Sequence, residues 1–374
     1  MLNPSPSLFI SQETYSQIRE KKLKGPNGWL LFYATESGFR RAQRVVDIYN
    51  DRLSQCSDAG KQVELIHKRE DGTPVIKGYD DTETNPRLPN HVAGANVFVF
   101  SDPHSRVSGK SVNDEIYRTL QLVYTLKVHG AHEVNLVMPY LPYSRAERSS
   151  YLKREAAQSE LFAKLLDTAG VNRVITYHLH SDAIKAFFQP KRVVGLSGMD
   201  FFIELLSRFK GDLQSVVIST DAGGAKQTYL LAQNLNLDYA VSSKYRSTSK
   251  ETTENLGIIG NLEGKRVALI TDDETVTFGS FLNAIKNLKA RHDVQEIYAA
   301  VSHFKLMPKY LNNLIECTKF GLKKLYVTDT IPQIPELLNQ TFIEQKSLDD
   351  LLVFVINRLH YDQSVSALIK LDEK

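Results

Sequence analysis

Cysteine is nearly missing from this chain, and so are the features that would put it on a membrane or on nucleic acid. Two cysteines in 374 residues, Cys56 and Cys317, make no disulfide framework and fit a reducing, cytoplasmic setting. The net charge is only +3, from 46 Lys and Arg against 43 Asp and Glu, so no nucleic-acid or membrane partner is expected. No apolar run approaches the roughly 20 residues that a membrane-spanning helix needs. The first 19 residues hold no basic stretch followed by an apolar core, so no secretory signal is expected. Low-complexity tracts and short-period repeats are also missing. What is present is ordinary for a globular protein, with 42% hydrophobic and 24% charged residues. The length suits two α/β domains of about 100–200 residues each.

Apolar runs of strand length alternate with helical periodicity along most of the chain. In the first half, strands are expected at 29–33, 63–66, 96–100, 134–138 and 173–177, with helices at 38–53, 112–129, 155–168 and 182–188. In the second, helices are expected at 198–208, 224–234, 278–290, 308–318 and 347–359, with strands at 215–219, 238–242, 266–270, 296–301 and 324–328. Such alternation implies mainly parallel sheets flanked by helices. The Gln189-Pro190-Lys191 stretch is the best boundary between the two series. The expected division is an extension over 1–28, domains over 29–193 and 194–357, and a tail over 358–374 that packs back on the first domain.

The most informative stretch is 266–280. An apolar run over 267–270 ends in two carboxylates, Asp272 and Asp273, and a Thr/Gly/Ser turn then opens a helix. Exposed amides at such a turn, with Thr275, Thr277, Gly279 and Ser280, can hold a phosphate. Ionised Asp only accepts hydrogen bonds, which suits the vicinal hydroxyls of a sugar. A phosphate seat beside a diol clamp has the shape of a ribose-phosphate site. The Asp pair alone would also look like a solvated turn; the Thr-x-Gly-Ser sequence favours phosphate.

Other polar clusters also follow strands, where open α/β sheets bind ligands. Asp221, Gly223 and Gly224 form a turn that opens a helix, with glycines that let the backbone approach an anion and a carboxylate for magnesium. Lys244 and Arg246 precede a long polar stretch; in isolation they read as a solvated basic loop. Between two phosphate turns they suit phosphoryl transfer, which needs cations on the equatorial oxygens. Tyr143-Ser144-Arg145 follows the strand at 134–138, and His178 and His180 follow that at 173–177. Two histidines at i, i+2 could bind zinc, but nothing else supplies structural-zinc spacing. His178 reads better as a packed core histidine, and His180 as a partner of magnesium-bound phosphate. Gly109-Lys110-Ser111 is not a Walker loop, because His104 stands where its first glycine belongs.

In this order, the motifs resemble those of the ribose-phosphate diphosphokinase (phosphoribosyl-diphosphate synthetase) family, over about residues 29–368. Pro142-Tyr143-Ser144-Arg145 is similar to the family segment whose arginine contacts ATP, and Leu179-His180 to its Leu-His near magnesium. Asp221 to Lys226 matches the Asp-Ala-Gly-Gly-Ala-Lys run, Lys244 and Arg246 fall on the catalytic Lys-x-Arg, and 272–280 falls on the ribose-5-phosphate loop. Tyr79, Asp81 and Glu83 fall on the adenine-side loop, while 328–332 and 364–366 are also similar to family segments. The chain departs from the family at Ala146, where glutamine is usual, and at Val276, where many members carry an acid. The N-terminal extension and the enlarged regions near 56–78 and 101–111 are atypical too.

The resemblance implies two phosphoribosyltransferase-like domains with ATP at their junction, magnesium held through His180 and Asp221, and assembly as a homodimer or homohexamer. An allosteric nucleotide site near Arg154, Ser364 and Ser366 is less expected, because the loop around Arg154 is altered. The expected reaction moves diphosphate from ATP to the anomeric hydroxyl of ribose 5-phosphate. The same chemistry on ADP-ribose, as in some viral homologues, and a silent regulatory homologue stay open as alternatives.

Overall fold

The computed structural model describes residues 22–56, 60–105, 108–188, 192–246 and 253–368, with a few positions between 10 and 20. For residues 243–246, 253–256 and 367 it describes the backbone alone.

The first half is one seven-stranded sheet. Its parallel strands, side by side, are β2 (Gly28–Ala34), β6 (Ala95–Phe100), β7 (Glu133–Val137), β8 (Arg173–Tyr177) and, at the edge, β9 (Val193–Leu196). On the far side of β2 lie the two-residue strands β1 (Lys24–Gly25), antiparallel, and β3 (Leu65–Ile66), parallel. A separate hairpin joins β4 (Ile76–Gly78) to β5 (Thr84–Pro86). Helices α1 (Phe39–Ser54), α2 (Val112–Val128) and α3 (Gln158–Ala169) cover this sheet. β6 reads Ala-Asn-Val-Phe-Val-Phe and is buried at every position, as a parallel strand covered on both faces must be.

The second half repeats the plan. Its sheet runs β12 (Thr253–Gly260), β11 (Asp238–Arg246), β10 (Ser215–Ser219), β13 (Val267–Thr275), β14 (Glu296–Phe304), β15 (Leu322–Thr328) and β16 (Ile343–Lys346). Only β12 is antiparallel to its neighbour. Helices α4 (Met199–Leu206), α5 (Ala225–Leu235), α6 (Gly279–Arg291) and α7 (Leu311–Lys319) flank it, and α8 (Pro335–Leu338) is a single turn. The last helix, α9 (Asp349–His360), packs on α1 of the first half. Residues of both halves therefore share one apolar core, with Val45, Val46 and Tyr49 meeting Leu352, Val353 and Ile356. No helix among the described residues is long and apolar enough to cross a membrane.

Three differences from the sequence expectations bear on function. β13 continues five residues past its expected end because β14 runs on beside it, pairing Asp272 with Val301 and Thr275 with Phe304. Asp272 and Asp273 are thus inside a strand rather than in a turn. β11 likewise continues to Arg246 and returns as β12, so the polar stretch begins as a two-stranded ribbon. Segment 182–188 is a 3-10 helix over Asp182–Phe187 rather than an α-helix. The short edge strands β9 and β16 carry too few residues to show a period and were not expected.

Candidate active site between the two sheets

The carboxyl ends of the two parallel sheets point at each other, and side chains from one meet side chains from the other. Beyond β8, His180 Nδ1 lies 2.5 Å from Asp273 Oδ2 on β13. The histidine placed on the ATP side and the aspartate placed on the sugar side are therefore in direct contact. The hydrogen bond to Asp273 raises the His180 pKa above its ordinary value, which favours the imidazolium form beside the Asp273 carboxylate. Burial would raise Asp273 as well, but the His180 bond and the neighbouring His178 and Asp272 hold it below the carboxylate range.

Its neighbour behaves oppositely. Asp272 is pushed up by burial and then by the charge on Asp273. Thr220 Oγ1 lies 2.5 Å from Asp272 Oδ2, and the Asp273 amide donates to Asp272 Oδ1 at 2.9 Å. The two adjacent carboxyls are therefore shifted in opposite directions. A small cleft beside them is lined by Thr271, Asp272, Asp273, Gly224, Gln227 and Phe202.

The two anion turns are preformed and closed on themselves. Asp221 Oδ1 accepts the amides of Gly223 at 2.9 Å and Gly224 at 3.4 Å, so the turn's own carboxylate occupies these amides. Asp221 Oδ2 has no partner among the described residues, and the residue is exposed. In the turn 275–280, Thr275 Oγ1 accepts the Phe278 amide at 3.2 Å and Thr277 Oγ1 accepts the Gly279 amide at 3.2 Å. Phe278 holds a left-handed φ of 57°. Its ring is buried and stacked on Phe281 with centroids 4.5 Å apart, which fixes a backbone that a non-glycine residue rarely adopts. Gly279 and Ser280 begin α6.

Several expected residues lie elsewhere. Tyr79, Asp81 and Glu83 form the exposed tip of the β4–β5 hairpin, tied internally by Tyr79 N to Glu83 O at 2.8 Å and Glu83 N to Asp81 Oδ1 at 3.1 Å. No hydrogen bond or ion pair joins them to the strand-end cluster among the described residues. Lys244 and Arg246 lie on β11, opposite Asn255 and Thr253 of β12; their side chains fall outside the described residues, as do residues 247–252. His178 is a buried histidine, its Nδ1 2.5 Å from Ser302 Oγ and its carbonyl accepting from His303 Nε2 at 2.9 Å. A Cβ at Gly198 would come within 2.1 Å of the His178 ring, so glycine is required there. Lys110 is paired with Glu36 at 2.7 Å and Ser111 caps α2 in a capping box, which accounts for both residues without a nucleotide.

Sequence reasoning missed Glu274. Its side chain is buried between the halves, and its Oε2 accepts from Tyr140 Oη at 3.0 Å and Lys305 Nζ at 2.8 Å. Arg145 Nε lies 3.1 Å from Oε1. A second missed cluster centres on Arg41, which is buried and paired with Asp102, Asp329 and Asp349.

Two mainly parallel sheets with strand ends opposed, the second carrying two polar turns at helix starts, define a two-domain protein of the phosphoribosyltransferase type. Comparison with known proteins gives the family. The N-terminal domain of ribose phosphate pyrophosphokinase matches residues 53–170, and the phosphoribosyl synthetase-associated domain matches residues 236–370. The chain is 34% identical over 306 residues to ribose-phosphate pyrophosphokinase 1 of Streptococcus pneumoniae, covering 81% of this chain and 91% of that protein. It is 33% identical over 303 residues to the ribose-phosphate pyrophosphokinase of Fusobacterium nucleatum, covering 79% and 90%. The crystal structure of phosphoribosylpyrophosphate synthetase from Mycobacterium smegmatis shares the fold, with a TM-score of 0.74 and 23% identity over 89% of this chain and 99% of that one. The chain belongs to the ribose-phosphate pyrophosphokinase family, whose members are diphosphotransferases.

Proposed function

We propose that the protein transfers the β,γ-diphosphoryl group of ATP to the anomeric hydroxyl of ribose 5-phosphate, giving phosphoribosyl diphosphate and AMP. The observation that carries this reading is the contact between His180 and Asp273, which joins the ATP side and the sugar side across the two halves. The 1-hydroxyl oxygen of the sugar forms a bond to the β-phosphorus while the bond from that phosphorus to the α,β-bridging oxygen breaks. AMP leaves with that oxygen, and the hydroxyl proton passes to solvent. Asp272 and Asp273 hold the ribose hydroxyls, and the turn 275–280 holds the 5-phosphate. Gly223 and Gly224 offer their amides to phosphate once Asp221 turns away. Lys244 and Arg246 carry the charge that neutralises the transferring group, and Arg145 meets the ATP phosphates. Tyr79, Asp81 and Glu83 are assigned to adenine.

The donor set fits magnesium, which takes oxygen ligands and keeps waters and substrate phosphates around it. Asp221, with an open oxygen, would hold it; His180, bound to Asp273, would meet the phosphates rather than the ion. Bound there, magnesium would offset triphosphate charge. Assembly into a homodimer or homohexamer is part of the same reading. Exposed Tyr117, Tyr124 and Val128 on α2, with Leu161 and Leu165 on the neighbouring α3, supply apolar surface for it. The domain division falls better after Leu196 than after 193, since β9 closes the edge of the first sheet.

The acceptor is tested by AMP release from ATP and magnesium with ribose 5-phosphate, ADP-ribose or free ribose. Fast release is expected with ribose 5-phosphate alone. Release with ADP-ribose and not with ribose 5-phosphate would replace the acceptor and keep the chemistry; no release with any would favour a silent regulatory homologue. Asp272→Asn should raise the KM for ribose 5-phosphate about tenfold and leave the KM for ATP within about threefold, because it keeps the shape of the side chain but removes an acceptor oxygen from the sugar side and does not touch His180. Asp273→Asn should raise both, because Asp273 also orients His180. An Asp272→Asn enzyme that lost ATP affinity alone would reverse the assignment of the two sides.

A further inference from the structure

Glu274 is the third carboxylate in a row on β13, and the reaction above gives it no part. It is 3% exposed, and all its partners are long-range in sequence or come from another strand. Tyr140 and Arg145 belong to the loop after β7 in the first sheet, while Lys305 follows β14 in the second. Lys305 Nζ also donates to Tyr140 Oη at 2.6 Å, closing a triangle of phenol, ammonium and carboxylate. Burial raises the Tyr140 pKa far above its ordinary value, with the Glu274 charge adding to it, so the phenol stays neutral. Burial lowers the Lys305 pKa, and the Glu274 carboxylate beside it pulls the other way, so the carboxylate is what keeps an ammonium in this enclosed place.

The two cations are held very differently. Lys305 is 10% exposed and enclosed, whereas the Arg145 side chain is 62% exposed. Arg145 meets Glu274 only through Nε, at ion-pair distance but off the hydrogen-bond line, and no other partner of Arg145 occurs among the described residues. A guanidinium held at Nε has both terminal nitrogens left for an anion, and its planar fork matches phosphate oxygens. Lys305 by itself would repel Arg145; the carboxylate between them lets both stay.

We infer that Glu274 is a positioning residue: it holds Arg145 by Nε so that its terminal nitrogens face the ATP phosphates. Because Glu274 follows directly on Asp272 and Asp273, the same strand then carries both the sugar clamp and the support of the nucleotide arginine. This rests on the assignment of Arg145 to ATP.

The test is equilibrium binding of a non-hydrolysable ATP analogue with magnesium and no acceptor, on the full-length protein and on Glu274→Gln, Glu274→Asp, Arg145→Ala and the Arg145→Ala/Glu274→Gln pair. Glu274→Gln should weaken analogue binding about tenfold, and Glu274→Asp should restore part of it. In the Arg145→Ala background, Glu274→Gln should cost nothing further. Additive losses in the double variant, or unchanged affinity in Glu274→Gln, would overturn the inference. Should Glu274→Gln not fold, the same cycle run with Glu274→Asp decides by the same criterion. No analogue binding by the unsubstituted protein would overturn the nucleotide assignment itself, and the inference with it.

Discussion

Replacing Lys244 or Arg246 with alanine should lower turnover by on the order of a hundredfold or more while changing ATP affinity little. Both residues lie on the part of β11 that pairs with β12, Lys244 opposite Asn255 and Arg246 opposite Thr253. In a loose phosphoryl transfer the charge spreads over equatorial oxygens only as the bridging bond breaks, so a cation aimed there acts on turnover more than on binding. Steady-state kinetics on both variants checks this. Near-normal turnover in both would remove them from the chemistry, and a loss of ATP binding with turnover intact would make them ground-state contacts.

Arg41→Ala should destabilise the protein by about 3–5 kcal/mol, the cost of leaving buried charges without their partner. Arg41 Nε lies 3.1 Å from Asp102 Oδ2, and Nη1 lies 3.4 Å from both Asp329 Oδ1 and Asp349 Oδ1. Its Nη2 also donates to the Asp329 carbonyl. Asp102 follows β6 of the first sheet, Asp329 follows β15 of the second, and Asp349 starts α9. One guanidinium thus ties three segments at the junction. Arg44 can still reach Asp329 and Asp349 in the variant, but Asp102 loses its hydrogen-bonded cation.

The deficit should also depend on pH. Burial holds the Asp102 pKa up at about 6, with Arg41 already pulling it down. A carboxyl whose folded pKa is raised favours the folded state below its ordinary value of 3.8, and this contribution is lost as pH rises through about 6. Without Arg41 the folded pKa rises further, so the deficit of Arg41→Ala should be smaller at pH 5 than at pH 8. Urea unfolding at the two values measures it. A loss below about 1 kcal/mol, or one that is greater at pH 5, would contradict the role given to this cluster.

Local signals in the sequence reached as far as local physics does. The alternation of apolar runs with helical periodicity located most of the central strands, and the turns after β10 and β13 announced themselves by glycine, threonine and serine. His178 was legible as a buried histidine, whereas the bond from His180 to Asp273 of the opposite sheet was not expected. What stayed hidden depends on partners far away in sequence. Glu274 looks like one more acid in a polar run until β14 extends β13 and Tyr140, 134 residues away, meets it. Arg41 looks like any helix-surface arginine until α9 returns to α1. The ends of β11 and β13 were misplaced because charged residues stop an apolar pattern even where a neighbouring strand keeps the backbone paired.

The most direct measurement follows the β-phosphate of ATP. With ATP labelled at the β position, ribose 5-phosphate and magnesium, the label should appear entirely in the sugar product, with unlabelled AMP formed in equal amount. Label retained on adenosine as ADP would mean that only the γ-phosphate moves, and would contradict the diphosphoryl transfer proposed for this site.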